Sequence, residues 1–210
     1  MSSQLIEALA AADESIRLKA ALALGSNPDP ALVDALLARC ASEPDFYVRD
    51  MLTWALIRLP AEVTVPRLLA ELRSQCAQAR SQALHTLSKI GDPATWPAIT
   101  QALLRDADDE VARSAWRAAV VLVLRGQEQA LAEELAAQLG RGGPEVQLSL
   151  SRALVAIGEE AIMPVLRSAL ASDDPGVRAH ASATERLLRD PDIGSELAVK
   201  AARRRFTLGK

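Results

Sequence analysis

Apolar positions in this chain fall on helical spacing inside a longer period. One amphipathic pattern returns about every 31 to 34 residues: an acid, a spacer, an apolar residue, an arginine, then a run rich in alanine and leucine. It reads DESIRLKAALALG from Asp13, DFYVRDMLTWALIRL from Asp45 and DEVARSAWRAAVVL from Asp109. It continues as PEVQLSLSRALVAIG from Pro144 and DPGVRAHASATERLL from Asp174, with a worn copy, CAQARSQALHTLSKIG, from Cys76. The arginine column holds Arg17, Arg49, Arg80, Arg113 and Arg178, and Gln147 takes its place in the fifth copy. A constant period means that each unit is one supersecondary piece that buries its apolar face by stacking on its neighbours.

A second helical pattern lies between these runs: VPRLLAEL from Val65, WPAITQAL from Trp96 and MPVLRSAL from Met163. Proline recurs in one column, Pro66, Pro97 and Pro164, within the first turn or two, where a missing amide costs little. Glycine or proline marks most joints, among them Gly25, Pro60, Gly91, Gly126, Gly142–Gly143–Pro144 and Gly158. The pattern predicts second helices near 14–25, 46–58, 77–90, 109–124, 145–157 and 176–188, each preceded by a first helix. No segment reads as a strand. The predicted fold class is all-α, a right-handed α-α superhelix of six two-helix repeats plus a C-terminal helix at 193–206. The repeats fall at about 1–26, 27–59, 60–91, 92–125, 126–158 and 159–189 of a single domain, 1–210.

The D-x-x-V-R…A-x-x-A-L…I-G helix with its V-P-x-L-x-x-A-L partner resembles the short HEAT-like repeats first named from phycobilin lyases. The resemblance covers residues 1 to about 190 and implies a HEAT-like solenoid. It implies little about activity, because this repeat serves scaffolds, lyases and DNA-binding enzymes alike. Gln147, Cys76 and the joint at Gly126, which lacks the proline, depart from the pattern.

Half of the residues are hydrophobic but only 3% are aromatic, as close helix packing through alanine and leucine requires. No apolar run of 18 residues and no signal peptide is read, and Cys40 and Cys76 lack metal-ligand spacing, so a cytoplasmic protein is expected. Four lysines against twenty arginines suggest a GC-rich bacterial genome. No phosphate loop, nucleophile elbow or zinc motif is present. His85 and His180 are the two histidines, too far apart for a metal site by themselves. The paired His-Glu dipeptides of HEAT-like di-iron hydroxylases are missing. No catalytic residue, metal or cofactor is expected.

The arginine column reads as structural. Asp at the start of a second helix caps backbone amides, and the arginine four residues later can pair with it. The pairs are Asp13 with Arg17, Asp45 with Arg49, Asp109 with Arg113 and Asp174 with Arg178; Arg80 lacks the acid. In families of this kind such groups form a ladder between repeats.

Core columns lie one before the arginine and three, six or seven, and ten after it. The columns two, five and nine after it remain open and, by the resemblance, line a concave face. They hold Lys19, Met51, Gln82, Ala115, Ser149 and His180; Leu22, Trp54, His85, Ala118, Arg152 and Ala183; and Ser26, Arg58, Lys89, Leu122, Ala156 and Leu187. No acid occurs there although the net charge is −3; Asp50 is the carboxylate nearest to them. Lys19, Arg58, Lys89 and Arg152, with Met51, Trp54, Gln82 and His85 between them, form the predicted partner-binding strip, with Trp54 beside His85. A basic tail, Lys200, Arg203, Arg204, Arg205 and Lys210, reads as a solvated helix end or a second arm.

The leading functional reading is a monomeric, non-enzymatic scaffold that takes an acidic or amphipathic segment of another protein, with no membrane partner. The alternative is nucleic-acid binding or DNA-base repair, with Asp50 and Trp54 imitating the carboxylate and tryptophan of HEAT-like glycosylases. Against it, an acidic chain offers few cations for phosphates. A chromophore lyase or its accessory follows only from the resemblance.

Overall fold

The computed structural model describes residues 2–190. Twelve α-helices and two 3-10 segments occur among the described residues, and no strand does. The helices are α1 (Ser2–Leu9), α2 (Glu14–Ser26), α3 (Val33–Ser42), α4 (Phe46–Ile57), α5 (Ala61–Glu71) and α6 (Ala77–Ile90). They continue with α7 (Gln101–Leu104), α8 (Asp109–Leu122), α9 (Glu128–Ala136), α10 (Pro144–Ile157), α11 (Glu159–Leu170) and α12 (Pro175–Arg189). The even-numbered helices are the arginine helices of the repeat.

Local chemistry sets their ends. The carboxylates of Asp13, Asp45 and Asp174 accept amides in the first turns of α2, α4 and α12. This satisfies donors that a helix start leaves unpaired. Pro144 and Pro175 open α10 and α12, where no amide is needed. Helix α6 stops at Gly91, whose φ of +69° favours glycine.

The fourth repeat departs from its prediction. Its first helix, expected around WPAITQAL, is a 3-10 segment, Pro93–Ala98, followed by the single turn of α7. Pro66 and Pro164 lie inside α5 and α11, which continue through them. In the fourth repeat Pro93 and Pro97 both lack an amide donor, and the chain tightens instead. Asp92 caps that segment at Ala94, and Thr100 restarts the helix by accepting from Leu103 N–H.

The chain divides into two compact units. The first comprises the residues up to Ile99 and Glu110–Leu122, so that it holds α1 to α6 and nearly all of α8. Helix α2 packs on α4, and α6 packs on α3, α4 and α5. Leu36, Leu52, Leu56, Leu68, Leu84 and Leu87 are fully buried there, with alanines such as Ala21, Ala55 and Ala83 at the close approaches. Gly25, predicted as a joint, lies inside α2 instead. A Cβ there would fall 2.2 Å from Trp54 Cζ3, so the bare backbone forms a seat for the indole.

The second unit comprises Thr100–Asp109 and the chain from Val123. Helix α12 packs on α10 and α11, and α9 on α10 and α11, around Leu131, Leu135, Leu150, Leu154, Ile162 and Leu166. Its buried polar groups are paired: Ser151 Oγ and Thr184 Oγ1 lie 2.8 Å apart, and Thr184 donates to the His180 carbonyl.

Several positions expected to be open are closed. Ala115, Ala118 and Leu122 in α8 are fully buried, and His180 and Leu187 in α12 are buried. Beyond the first turn of α8 the exposed positions are Arg117 and Val121, four and eight residues after the arginine. Alanines at 112, 115, 118 and 119 let this helix bury a broad face, which turns its solvent stripe by about one position. The helix predicted at 193–206 and the basic tail lie outside the described residues.

Candidate functional site

The arginine column builds a turn clamp. Arg49 Nη1 donates to the carbonyls of Glu43 and Pro44, six and five residues earlier. Arg17 does the same to Ala11 and Ala12, Arg80 to Ser74 and Gln75, and Arg178 to Ser172 and Asp173. Gln147 Nε2 reaches the carbonyls of Gly140 and Gly142, so glutamine keeps the function without the charge. The expected pairing with the acid four residues earlier is therefore replaced. Those acids already cap their helices, and the carbonyls at the preceding turn need donors. Arg113 differs and pairs with Glu110, while Asp109 is held by Arg141.

Glu43 is the buried charge that sequence reasoning missed. Its side chain is fully buried and accepts from Arg17 Nε and Nη2, Arg39 Nε and the Asp45 amide at 2.7–2.9 Å. Burial alone would raise its pKa, but the Arg17, Asp45 and Arg39 hydrogen bonds prevail and hold it at about 2. Arg17 is raised, chiefly by its hydrogen bond to Glu43. The only sequence signal was an acid at a joint, just before Pro44 and Asp45.

A hollow of about 320 Å³ lies on the first unit between the second helices α4, α6 and α8. Phe46, Arg49 and Asp50 contribute from α4, Ser81, Gln82 and His85 from α6, and Glu110, Arg113, Ser114 and Arg117 from α8. The Ser81 and Ser114 hydroxyls, 2.9 Å apart, tie α6 to α8 at its floor. Arg117 gives Nη2 to Ser114 Oγ. The side chains of Gln82 and His85 make no hydrogen bond among the described residues. Burial, then Arg117 and Lys89, lower the His85 pKa, against an opposing effect of Asp50. Arg117 is exposed overall, but the protein crowding its guanidinium and then Arg113 lower its pKa, which Glu110 partly offsets. Phe46 lines the hollow and Tyr47 packs beside it, 64% and 70% exposed, with rings edge to face at 5.6 Å.

The structure thus brings together two of the predicted strip residues, Gln82 and His85. Asp50 and Glu110 both line the hollow, so this face is not free of acids. Trp54 does not line it. Its half-buried indole rests on Gly25, with the Arg58 guanidinium 5.2 Å from the ring centroid and Arg58 Nε donating to the Gly25 carbonyl at 2.7 Å. Trp54 and Arg58 therefore pin α4 to α2, through packing and a cation–π contact. Met51 is half-buried, and Lys19 and Lys89 are exposed. Arg152 is exposed on α10, in the second unit. The aromatic pair and Arg117 were not among the predicted site residues.

Other reactive side chains are committed. His180 Nδ1 accepts from the Gly140 amide at 3.0 Å, so the proton lies on Nε2, which faces the Gln147 carbonyl and Ser151 Oγ. An imidazole protonated on that nitrogen cannot take a proton from Ser151. Burial pushes the Cys40 thiol up to about 12. Cys76 is exposed at the start of α6, with Sγ 3.5 Å from the Ala41 carbonyl. Among the described residues no cluster of metal-ligating groups occurs, and no helix is long and apolar enough to cross a membrane.

The complex of CpcE and CpcF of phycocyanin lyase from Nostoc sp. PCC7120 aligns over 90% of this chain and 77% of its own, at 21% identity and a TM-score of 0.48. An engineered protein aligns over 91% and 96%, at 22% and 0.47. A designed armadillo repeat protein in complex with the peptide (KR)4 aligns over 89% and 81%, at 16% and 0.32. No curated protein sequence matches. The family profile of HEAT repeats matches residues 2–57 and 40–121, more than half of the sequence. With its paired helices and recurring arginine clamp, the chain belongs to the HEAT repeat family.

Proposed function

We propose that this protein is a non-enzymatic binding scaffold that takes an acidic or amphipathic segment of another protein across α4, α6 and α8. The observation that carries this reading is the hollow among those helices. It combines an exposed arginine, two polar side chains without partners among the described residues and an exposed aromatic pair, Phe46 lining it and Tyr47 beside Phe46. The repeat itself does not call for these features. Arg117, Gln82 and His85 offer hydrogen bonds, and Phe46 and Tyr47 offer apolar area. Aromatic residues and arginine are the side chains enriched where binding energy concentrates.

Selection of peptides of about 14 residues from a display library against the full chain tests the reading; such a segment reaches about 45 Å when extended. Selected segments are expected to be acidic with interspersed aliphatic or aromatic residues. They should slow amide exchange in α4, α6 and α8. Failure to select any segment, or protection confined to other helices, overturns it.

A further inference from the structure

Within that reading, and resting on it, we propose that the hollow recognises one carboxylate beside an apolar side chain: Arg117 receives the carboxylate, the Phe46–Tyr47 pair receives the apolar neighbour, and His85 takes up a proton as the segment binds. The charge inventory selects the ligand. Three arginines, Arg49, Arg113 and Arg117, face two carboxylates, Asp50 and Glu110, which leaves a single positive charge when His85 is neutral. Arg49 gives Nη1 to two turn carbonyls and Arg113 pairs with Glu110, whereas Arg117 is exposed and gives only Nη2 to Ser114 among the described residues. A monoanionic carboxylate balances this site. A phosphate dianion would exceed the charge of the lining groups by one and would face Asp50 and Glu110, with Lys89 as a further cation outside the lining.

The apolar half has its own support. Phe46 lines the hollow and its ring packs edge to face on that of Tyr47, so an apolar neighbour of the carboxylate that reaches Phe46 meets the pair through it. In the other repeats these two positions hold Glu14–Ser15, Ala77–Gln78, Glu110–Val111, Pro144–Glu145 and Pro175–Gly176. Stacking of the helices therefore does not require aromatic residues there.

The proton follows from the surroundings of His85. The groups that act on it are Arg117 from α8, Lys89 from its own helix and Asp50 from α4; Arg49, Arg113 and Glu110 also line the hollow. Burial and then its neighbouring cations, Arg117 and Lys89, favour the neutral ring in the free protein. A bound carboxylate offsets Arg117 and favours the imidazolium. Linkage then makes binding tighter as pH falls through the pKa of the bound state.

The test uses the full chain and a 14-residue glycine–serine peptide carrying one Glu-Leu-Trp. Comparison peptides replace the glutamate by glutamine or by phosphoserine. Binding is read by calorimetry and by the NMR signals of the His85 ring and the Arg117 Nε–H. The glutamate peptide is expected to shift both signals and to bind about fivefold more tightly at pH 5.5 than at pH 7.5. Arg117→Gln should weaken it at least about tenfold, as should Phe46→Ala with Tyr47→Ala, all at exposed positions. His85→Gln should abolish the pH dependence while the peptide still binds, and Arg67→Gln on α5 should change nothing. Equal binding of the glutamine peptide, tighter binding of the phosphoserine peptide, no binding of the glutamate peptide, or a pH response that survives His85→Gln overturns the proposal. The scaffold reading stands or falls separately, on whether any display-selected segment protects α4, α6 and α8.

Discussion

Replacing Glu43 by glutamine is expected to destabilise the first unit by about 3 kcal/mol, the lower end of the ~3–5 kcal/mol range for breaking a buried ion pair. The side chain is fully buried, and two guanidiniums and an amide converge on it. Glutamine keeps the shape but loses the charge and one acceptor oxygen. It then presents an amide donor to groups that are themselves donors. Arg17 is buried and cannot regain water, so most of the cost falls there. Arg39 is 20% exposed along its side chain and can turn outward, which places the expected loss at the lower end. Urea unfolding followed by tryptophan fluorescence measures the difference. Adding Arg17→Gln to Glu43→Gln should recover part of the loss, since it removes the unpaired charge and, as Gln147 does in the fifth repeat, leaves an amide for the turn carbonyls. A loss below about 1 kcal/mol for Glu43→Gln, or no recovery in the double variant, would refute the argument that this charge cluster holds the joint.

The same group gives a signed pH dependence. Its folded pKa, about 2, lies below the ordinary 4.5. Its contribution is therefore complete above pH 4.5 and is lost as pH falls towards 2. Wild type should lose stability across that window, and Glu43→Gln should lack this part of the loss.

Gly25→Ala should destabilise by about 1–3 kcal/mol, although alanine ordinarily strengthens a helix, because its Cβ would meet the Trp54 ring. Thermal unfolding checks the sign, and Gly25→Ala with Trp54→Leu should recover most of the loss. Burial holds the His180 pKa below its ordinary 6.5, so its contribution is present above pH 6.5 and fades as pH falls through the folded value. The Tm of wild type should thus fall below pH 6.5 more steeply than that of His180→Asn. Hydrogen exchange should be faster in residues 125–147 than in 46–90, because Gly126, Gly140 and Gly142 all have positive φ and Gln147 clamps its turn without charge. Equal protection of the two segments would count against that account.

The period and the second helices were legible in the sequence because the repeats share an apolar stripe, and α2, α4 and α12 also share an aspartate cap. The predicted second helices match α2, α4, α6, α8, α10 and α12 to within one or two residues. Side-chain partners were less legible. Spacing alone places Asp45 one turn before Arg49, but it does not reveal that the carboxylate is already capping α4 while the carbonyls of Glu43 and Pro44 lack donors. Nor does it weigh tertiary demand. Trp54 occupies an open column, yet Gly25 on α2 provides a seat for it, and the matching glycine lies 29 residues away. The rotation of α8 depends on how many alanines can face a neighbour at once, which a fixed column count ignores.

The proposed site follows from what the repeat leaves over. Every stacked unit must cap a helix, clamp a turn and fill a seam, and the acids, arginines and leucines of the recurrent pattern are consumed by that work. Arg49 and Arg113 look like available cations in the sequence but are engaged locally. The proposed binding capacity then rests on residues that depart from the pattern. Phe46 and Tyr47 replace small or polar residues at the start of α4, Arg117 projects from the turned stripe of α8, and Gln82 and His85 face the same hollow from α6. Position in the stack joins side chains from three repeats that no local motif connects. In a protein of this kind, internal deviation from the repeat is therefore a better guide to the binding surface than the repeat itself.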